Sequence, residues 1–117
     1  MAKVAILGVG KMGAAMAKEL AAANHEVILW NRTVEKAQSL ANSLPNTMVA
    51  NSVAEALKEA DIALCLFVSG VATEESLLSN PAVLQNANKS IVIVDMGTSG
   101  VDSAKRLGAA ISKAGLK

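Results

Sequence analysis

Residues 4–13 of the chain read Val4-Ala5-Ile6-Leu7-Gly8-Val9-Gly10-Lys11-Met12-Gly13, an apolar run that leads into a glycine-rich turn. Four consecutive apolar residues before Gly8 are typical of a strand that is buried on both faces. Met12, Met16 and Leu20 then recur at helical spacing. The stretch therefore predicts a strand, a tight turn and a helix, and the rest of the chain is interpreted around this unit.

The three glycines suit three different positions in such a unit. Gly8 permits the tight turn, Gly10 lets the backbone come close to a bound diphosphate, and Gly13 lets the helix pack against the strand. The unpaired N–H groups of the first helical turn, with the positive end of the helix dipole, face the anion. The pattern therefore predicts a dinucleotide site whose first loop contains Gly8, Val9, Gly10, Lys11, Met12 and Gly13.

Length and composition are those of one globular domain. The chain has 117 residues, of which 52% are hydrophobic and 18% are charged, and its net charge is +1. The hydrophobic and charged fractions argue against disorder. The small net charge and the scarcity of aromatic residues argue against a nucleic-acid partner. No apolar run is long enough to span a bilayer, and the sequence begins without a signal-peptide pattern. We therefore expect a cytoplasmic protein with no nucleic-acid and no membrane partner.

The single cysteine and the single histidine are predicted to be structural. Cys65 lies in an apolar stretch with no histidine nearby in the sequence to activate it. His25 lies in the turn before the second predicted strand, where a structural or solvated role is expected. No group of residues has the spacing of metal ligands, so we expect no metal site.

The remainder of the chain alternates between strand and helix patterns. Strands are predicted over 3–7, 26–30, 47–50, 62–67 and 90–95. Helices are predicted over 12–23, 34–44, 52–59, 71–84 in two pieces, and 102–114. Thr33 and Ser52 are expected to cap helices, Ser52 in a capping box with Glu55. This alternation predicts an α/β fold, a Rossmann-type doubly wound parallel sheet of five strands in the order 3-2-1-4-5, with helices on both faces.

The loop after the second strand indicates which dinucleotide is bound. An NAD-binding unit normally carries Asp or Glu there for the ribose hydroxyls, whereas this chain has Asn31, Arg32 and Thr33. A carboxylate would repel a 2′-phosphate, while amide, guanidinium and hydroxyl groups can donate to one. The sequence therefore favours NADP(H) over NAD(H). The same absence of an acidic residue argues against S-adenosylmethionine.

Further candidate cofactor residues follow the other strands, because ligands of such sheets bind beyond the carboxyl ends of the strands. They are Lys36, Leu66, Phe67, Val68, Val71 and Thr98. Lys36 could assist Arg32, and Leu66 and Phe67 could contact ribose and adenine. A solvated surface position is the alternative for Lys11, Arg32 and Lys36. For Leu66 and Phe67 the alternative is that they only end a core strand.

Several motifs together match one known family. They are residues 8–17, 25–27 and 30–33, followed by Lys36-Ala37. The chain resembles the N-terminal cofactor domain of the β-hydroxyacid dehydrogenases, which include 3-hydroxyisobutyrate dehydrogenase and are related to 6-phosphogluconate dehydrogenase, with imine reductases as close relatives. The resemblance extends along essentially the whole chain. It implies NADP(H)-dependent hydride transfer on a small carbonyl, hydroxy-acid or imine substrate.

The chain also departs from the pattern of this family. In the family a serine-threonine pair after the fifth strand reaches substrate and nicotinamide ribose; here Thr98 is retained as a cofactor contact, whereas Gly97 replaces the serine. This change leaves room for an imine or another divergent substrate. The family continues with a sixth strand and a helical domain that supplies a catalytic lysine. We therefore expect residues 1–117 to be the NADP-binding domain without that helical domain, and we assign no catalytic residue.

Two functions of different class stay open. The first is the NADP(H)-binding domain of an oxidoreductase, catalytically incompetent alone because substrate positioning and proton transfer require the missing domain. The second is a non-catalytic module that senses NADP(H) or mediates an interaction, since the fold alone does not define function. Beside NADP(H), the expected partners are a second copy through an exposed face and, with the missing domain, a small-molecule substrate.

Overall fold

The predicted strands form one parallel sheet in the predicted order. The computed structural model describes residues 2–67, 70–78, 82–96 and 101–115. Within these ranges the strands are β1 (Lys3–Leu7), β2 (Glu26–Trp30), β3 (Thr47–Val49), β4 (Ile62–Cys65) and β5 (Val92–Asp95). Their order in the sheet is β3-β2-β1-β4-β5, and each adjacent pair is parallel. The predicted Rossmann-type arrangement is therefore confirmed.

Helices cover both faces of this sheet. They are α1 (Lys11–Ala22), α2 (Val34–Asn42), α3 (Val53–Glu59), α4 (Gly70–Leu78), α5 (Ala82–Gln85) and α6 (Val101–Lys113). Helices α1 and α2 pack on one face, where Ile6 and Leu29 are buried. Helices α3 to α6 contribute to the core on the other face, where Leu7 and Ile28 are buried. The fourth helical segment is in two pieces, as predicted, and residues 79–81 between them lie outside the described residues.

Three predicted strand boundaries are wrong. Strand β3 ends at Val49 and not at Ala50, whose N–H still donates at 2.9 Å to the Leu29 carbonyl. Strand β4 ends at Cys65, and the Leu66 N–H makes a last bond of 2.8 Å to the Leu7 carbonyl. Strand β5 begins at Val92, because the Ile91 N–H donates at 3.0 Å to the Asn88 carbonyl within a turn. The apolar runs 62–67 and 90–95 therefore extend beyond the residues that pair in the sheet, since apolar character reports burial and not pairing.

Helix α1 packs on the sheet through small side chains. Gly13, Ala17 and Ala21 are its buried residues. Among the residues whose spacing predicted this helix, Met12 is instead 59% exposed. A Cβ atom on Gly13 would lie 2.4 Å from the carbonyl oxygen of Gly8, so only glycine permits this approach of the first helical turn to the end of β1. The predicted packing role of Gly13 is confirmed.

The single histidine and cysteine are structural, as predicted. His25 Nδ1 accepts a hydrogen bond of 3.1 Å from the Ala2 N–H. Cys65 is completely buried in the core between the sheet and α3 to α6. Both side chains therefore stabilise the fold.

The edge strand β5 exposes an apolar row. Val92, Val94 and Met96 are 41%, 38% and 42% exposed. Alternate residues of a strand point to the same face, so these three side chains lie together. In the ranges that the structure covers, none of the helices combines the length and the apolar character needed to cross a bilayer.

The two predicted helix caps differ in the structure. Ser52 Oγ accepts a hydrogen bond of 3.1 Å from the Glu55 N–H at the start of α3. Thr33 occupies the N-cap position of α2, but its side chain makes no capping hydrogen bond within the described part of the chain. The predicted cap at Ser52 is confirmed and the side-chain cap at Thr33 is wrong.

We expect Ser52→Ala to lower the free energy of unfolding by about 1 kcal/mol, because the Glu55 N–H loses its acceptor. Thr33→Ala is the matched control at an equivalent position, and its effect should stay within about 0.5 kcal/mol. Urea-induced unfolding followed by circular dichroism measures both. An equal loss in the two variants would contradict the difference in capping.

Candidate functional site

Three neighbouring strands end at the same level of the sheet. The register pairs Leu7 with Trp30 on one side and with Cys65 on the other. Residues 8–10, here called the glycine loop, and residues 31–33, here called the β2 loop, therefore begin side by side. The turn after β4 begins at the same edge, where parallel sheets bind their ligands.

A cleft of about 840 Å³ opens at this edge, within the size range of ligand-binding pockets. We call it the strand-end cleft. Many of the residues predicted to bind a cofactor line it: Gly8, Val9, Gly10, Asn31, Arg32, Lys36, Leu66 and Phe67. The structure thus brings together residues from four separate segments of the sequence.

Other predicted residues do not line the strand-end cleft. They are Lys11, Met12, Gly13 and Thr33, all within the described residues. Val68 and Thr98 lie outside the described residues. The backbone of Val71 belongs to α4, but its side chain also lies outside what the structure describes.

Sequence reasoning missed the wall of the cleft that α3, α4 and α5 form. This wall consists of Asn51, Ser52, Val53, Ala54, Ala72, Glu75, Ser76 and Val83. The α4 residues Ala72, Glu75 and Ser76 are three and four positions apart, so the sequence alone could have shown that they share one face of a helix. The segment 51–54 follows β3, and ligands of parallel sheets bind beyond the carboxyl ends of the strands, so its position could also have been predicted.

The glycine loop leaves open space in front of α1. Gly8 has φ +105°, and a Cβ atom there would lie 2.7 Å from the Leu66 carbonyl oxygen, so the turn requires glycine. Gly10 has φ −95° as the N-cap of α1, and a Cβ atom on it would meet no atom of the described chain within 4 Å. Within the described residues no side chain caps this helix, so its first N–H groups are available to an anion.

Charged and aromatic side chains both line the cleft. Arg32 and Lys36 are exposed and supply positive charge, while Glu75 contributes a carboxylate from α4. Trp30 and Phe67 are half-buried and meet edge to face, with ring centroids 6.1 Å apart and planes at 69°. Cations beside an aromatic surface suit a ligand that has both phosphate and a flat ring.

The side chain of Asn31 lies between the two loops. Its Oδ1 accepts from the Val9 N–H at 2.9 Å, and its Nδ2 donates to the Thr33 carbonyl at 2.9 Å. Asn31 is therefore at the predicted place, and its amide is engaged with the backbone on both sides.

The residues of the strand-end cleft have the chemistry that a dinucleotide requires. The open N-terminus of α1 suits a diphosphate, the guanidinium of Arg32 suits a phosphate monoester, and the Trp30–Phe67 surface suits a base. Among the described residues, no three His, Cys, Asp or Glu side chains are grouped so as to hold a metal ion.

Known proteins are similar to this chain along nearly its whole length. A sequence profile described as the NAD binding domain of 6-phosphogluconate dehydrogenase matches residues 3–117. The uncharacterized oxidoreductase YkwC of Bacillus subtilis (strain 168) is 27% identical over 113 residues, which are 97% of this chain and 38% of that protein.

Solved structures show the same relationship. The 3-hydroxyisobutyrate dehydrogenase of Mycobacterium tuberculosis superposes with a TM-score of 0.86 and 27% identity, over 99% of this chain and 38% of that one. An imine reductase from Pseudomonas sp. superposes with a TM-score of 0.85 and 25% identity, over 97% of this chain and 38% of that one. The chain thus spans 38% of the length of each of these three proteins.

Proposed function

Because the chain belongs to the family of the NAD binding domain of 6-phosphogluconate dehydrogenase, we propose that it is the NADP(H)-binding domain of an oxidoreductase. Bound NADP(H) supplies or accepts the hydride, and the substrate is a small carbonyl, hydroxy-acid or imine compound. The residues of this chain hold the cofactor and orient it. The similarity to a 3-hydroxyisobutyrate dehydrogenase and to an imine reductase supports this choice of substrate classes.

The observation that carries the preference for NADP(H) is the position of Arg32. Its side chain lines the strand-end cleft directly after β2, with Lys36 beside it on the same lining. In NAD-binding units, a carboxylate at the end of the second strand accepts hydrogen bonds from the ribose hydroxyls. A guanidinium at the same place instead donates to a phosphate through two N–H groups. Two cations at this point therefore favour the cofactor that carries a 2′-phosphate.

Each of the other parts of the cofactor is bound by a different element of the cleft. The first N–H groups of α1 bind the diphosphate, and the space in front of Gly10 admits it. The surface formed by Trp30 and Phe67 binds the adenosine part. Leu66 contributes apolar contact, and Val68, Val71 and Thr98 complete the proposed set of cofactor residues.

A titration followed by the fluorescence of Trp30, the only tryptophan in the chain, tests this proposal. NADPH, NADH and adenosine 2′-phosphate are added separately to the 117-residue chain. We expect NADPH and adenosine 2′-phosphate to change the emission, and NADPH to bind at least about tenfold more tightly than NADH, as one charge-assisted hydrogen bond would produce. Equal affinities for the two cofactors would overturn the preference, and the absence of all binding would overturn the function.

We expect the chain alone to bind NADPH without reducing glyoxylate or succinic semialdehyde. The substrate must be positioned and a proton transferred, and in this proposal a further helical domain does both. The coverage of 38% of each relative's length supports such a division. The loss of absorbance of NADPH with each aldehyde measures the activity. Turnover above the protein-free rate would contradict the proposed division. The alternative function is a sensing module, which would bind NADPH and act without any catalytic partner protein.

The proposal also includes a cytoplasmic location and contact with a second copy. The apolar row Val92, Val94 and Met96 on β5 supports the contact, because exposed apolar rows are commonly covered in assemblies.

A further inference from the structure

The amide of Asn31 joins the two loops that flank the strand-end cleft. Its Oδ1 accepts from the Val9 N–H in the glycine loop, and its Nδ2 donates to the Thr33 carbonyl in the β2 loop, both at 2.9 Å. A backbone N–H can bond only to an acceptor and a carbonyl only to a donor. These two partners therefore define which way the amide faces.

This bridge removes the Val9 N–H from the donors that are available to a ligand. The Gly8 N–H is also engaged, because it donates at 2.9 Å to the Trp30 carbonyl. The glycine loop is thus bound to the end of β2 at two consecutive residues. The donors that face a ligand are then the first N–H groups of α1, which directly follows the glycine loop and which, within the described residues, no side chain caps.

We propose that Asn31 is a positioning residue for dinucleotide binding, which holds the glycine loop and the β2 loop in one arrangement. This inference rests on the proposed function and adds a role beyond direct contact with the 2′-phosphate. Through Val9, Asn31 orients the N–H groups that meet the diphosphate, and through Thr33 it orients the segment that carries Arg32. Ligands without a 2′-phosphate therefore depend on Asn31 as much as NADPH does.

The bridge also explains why an amide stands at this position. Aspartate could accept from the Val9 N–H, but it has no N–H for the Thr33 carbonyl, and its charge would face a 2′-phosphate. Alanine would lose both bonds. The two variants Asn31→Ala and Asn31→Asp therefore separate positioning from phosphate contact.

The test measures the binding of NADPH, NADH and ADP-ribose to the parent chain and to both variants by calorimetry. We expect Asn31→Ala to weaken all three ligands by a similar factor, roughly tenfold, as the loss of two neutral hydrogen bonds produces. Asn31→Asp should bind NADH and ADP-ribose within about threefold of the parent, because the contact with Val9 survives, and should bind NADPH more weakly. A loss confined to NADPH in Asn31→Ala, or no loss at all, would overturn the inference.

The exchange rate of the Val9 amide hydrogen, measured by NMR without ligand, tests the bridge independently of the proposed function. Exchange should be slow in the parent and in Asn31→Asp, and faster in Asn31→Ala. Fast exchange in Asn31→Asp or slow exchange in Asn31→Ala would overturn the inference. If the parent binds no nucleotide, the proposed function fails and this measurement still decides whether Asn31 holds the loop. If Asn31→Ala does not fold, the parent and Asn31→Asp supply the comparison.

Discussion

Gly13→Ala is expected to lower the free energy of unfolding by at least about 3 kcal/mol, at the upper end of the range for overpacked sites. The added Cβ atom would lie 2.4 Å from the Gly8 carbonyl oxygen, and the nearest atom is backbone, which has no rotamer to change. Helix α1 would have to move away from β1, and the buried contacts of Ala17 and Ala21 would loosen with it. In a solvated helix the same substitution would stabilise by about 1 kcal/mol, so the expected sign is opposite to that of helix propensity.

Gly10→Ala is the matched control, three residues earlier in the same unit. Its Cβ atom would meet no atom of the described chain within 4 Å, and its φ of −95° is ordinary for alanine. The free energy of unfolding should therefore stay within about 1 kcal/mol of the parent, the usual cost of alanine at an N-cap. The same variant should bind NADPH more weakly, because its methyl group occupies the space in front of the helix N-terminus. Urea denaturation of both variants measures the contrast, and parent-like stability of Gly13→Ala would refute it.

This contrast shows why the first unit of the fold is predictable from sequence. Its determinants are local: the strand 3–7, the turn at Gly8 and the close approach at Gly13 lie within a few residues of one another. Glycine is the residue that tolerates both a positive φ and a backbone contact, so its spacing reports the geometry directly. The parallel pairing followed from the alternation of strands and helices, because parallel strands need long crossover connections. The strand order followed from the Rossmann-type unit that the glycine turn indicates.

The organisation of the cleft was less predictable, since it depends on contacts between distant residues. The sequence shows an amide at position 31 but not that its oxygen faces Val9, which is 22 residues away. Likewise, the wall containing Ala72 and Ser76 exists because the α4 residue Leu77 and the α5 residue Val83 pack into the core. Which helix face then meets the cleft is decided by that packing and not by local propensity.

Arg32→Ala is expected to weaken NADPH binding by about 1.5 to 3 kcal/mol, the range for hydrogen bonds to charged groups, and to leave NADH nearly unchanged. Arg32 lies on the lining of the strand-end cleft at the end of β2, where the ribose of a dinucleotide is recognised. The 2′-phosphate is the only group by which the two cofactors differ. Removal of a side chain that binds this group should therefore lower the affinity for NADPH and not that for NADH. Removal of a side chain that supports the loop should lower both affinities.

Two further variants distinguish a direct contact between Arg32 and the 2′-phosphate from a general effect of positive charge on binding. Lys11→Ala removes a cation that does not line the cleft, and it should change NADPH and NADH binding by similar small factors. Arg32→Lys keeps the charge but loses the planar pair of donors, so its NADPH affinity should fall between those of the parent and Arg32→Ala. Calorimetric titration at one fixed salt concentration measures all of these affinities. An equal loss of NADPH and NADH binding in Arg32→Ala would assign Arg32 to loop support, and the preference for NADP(H) would then lose the residue on which it depends.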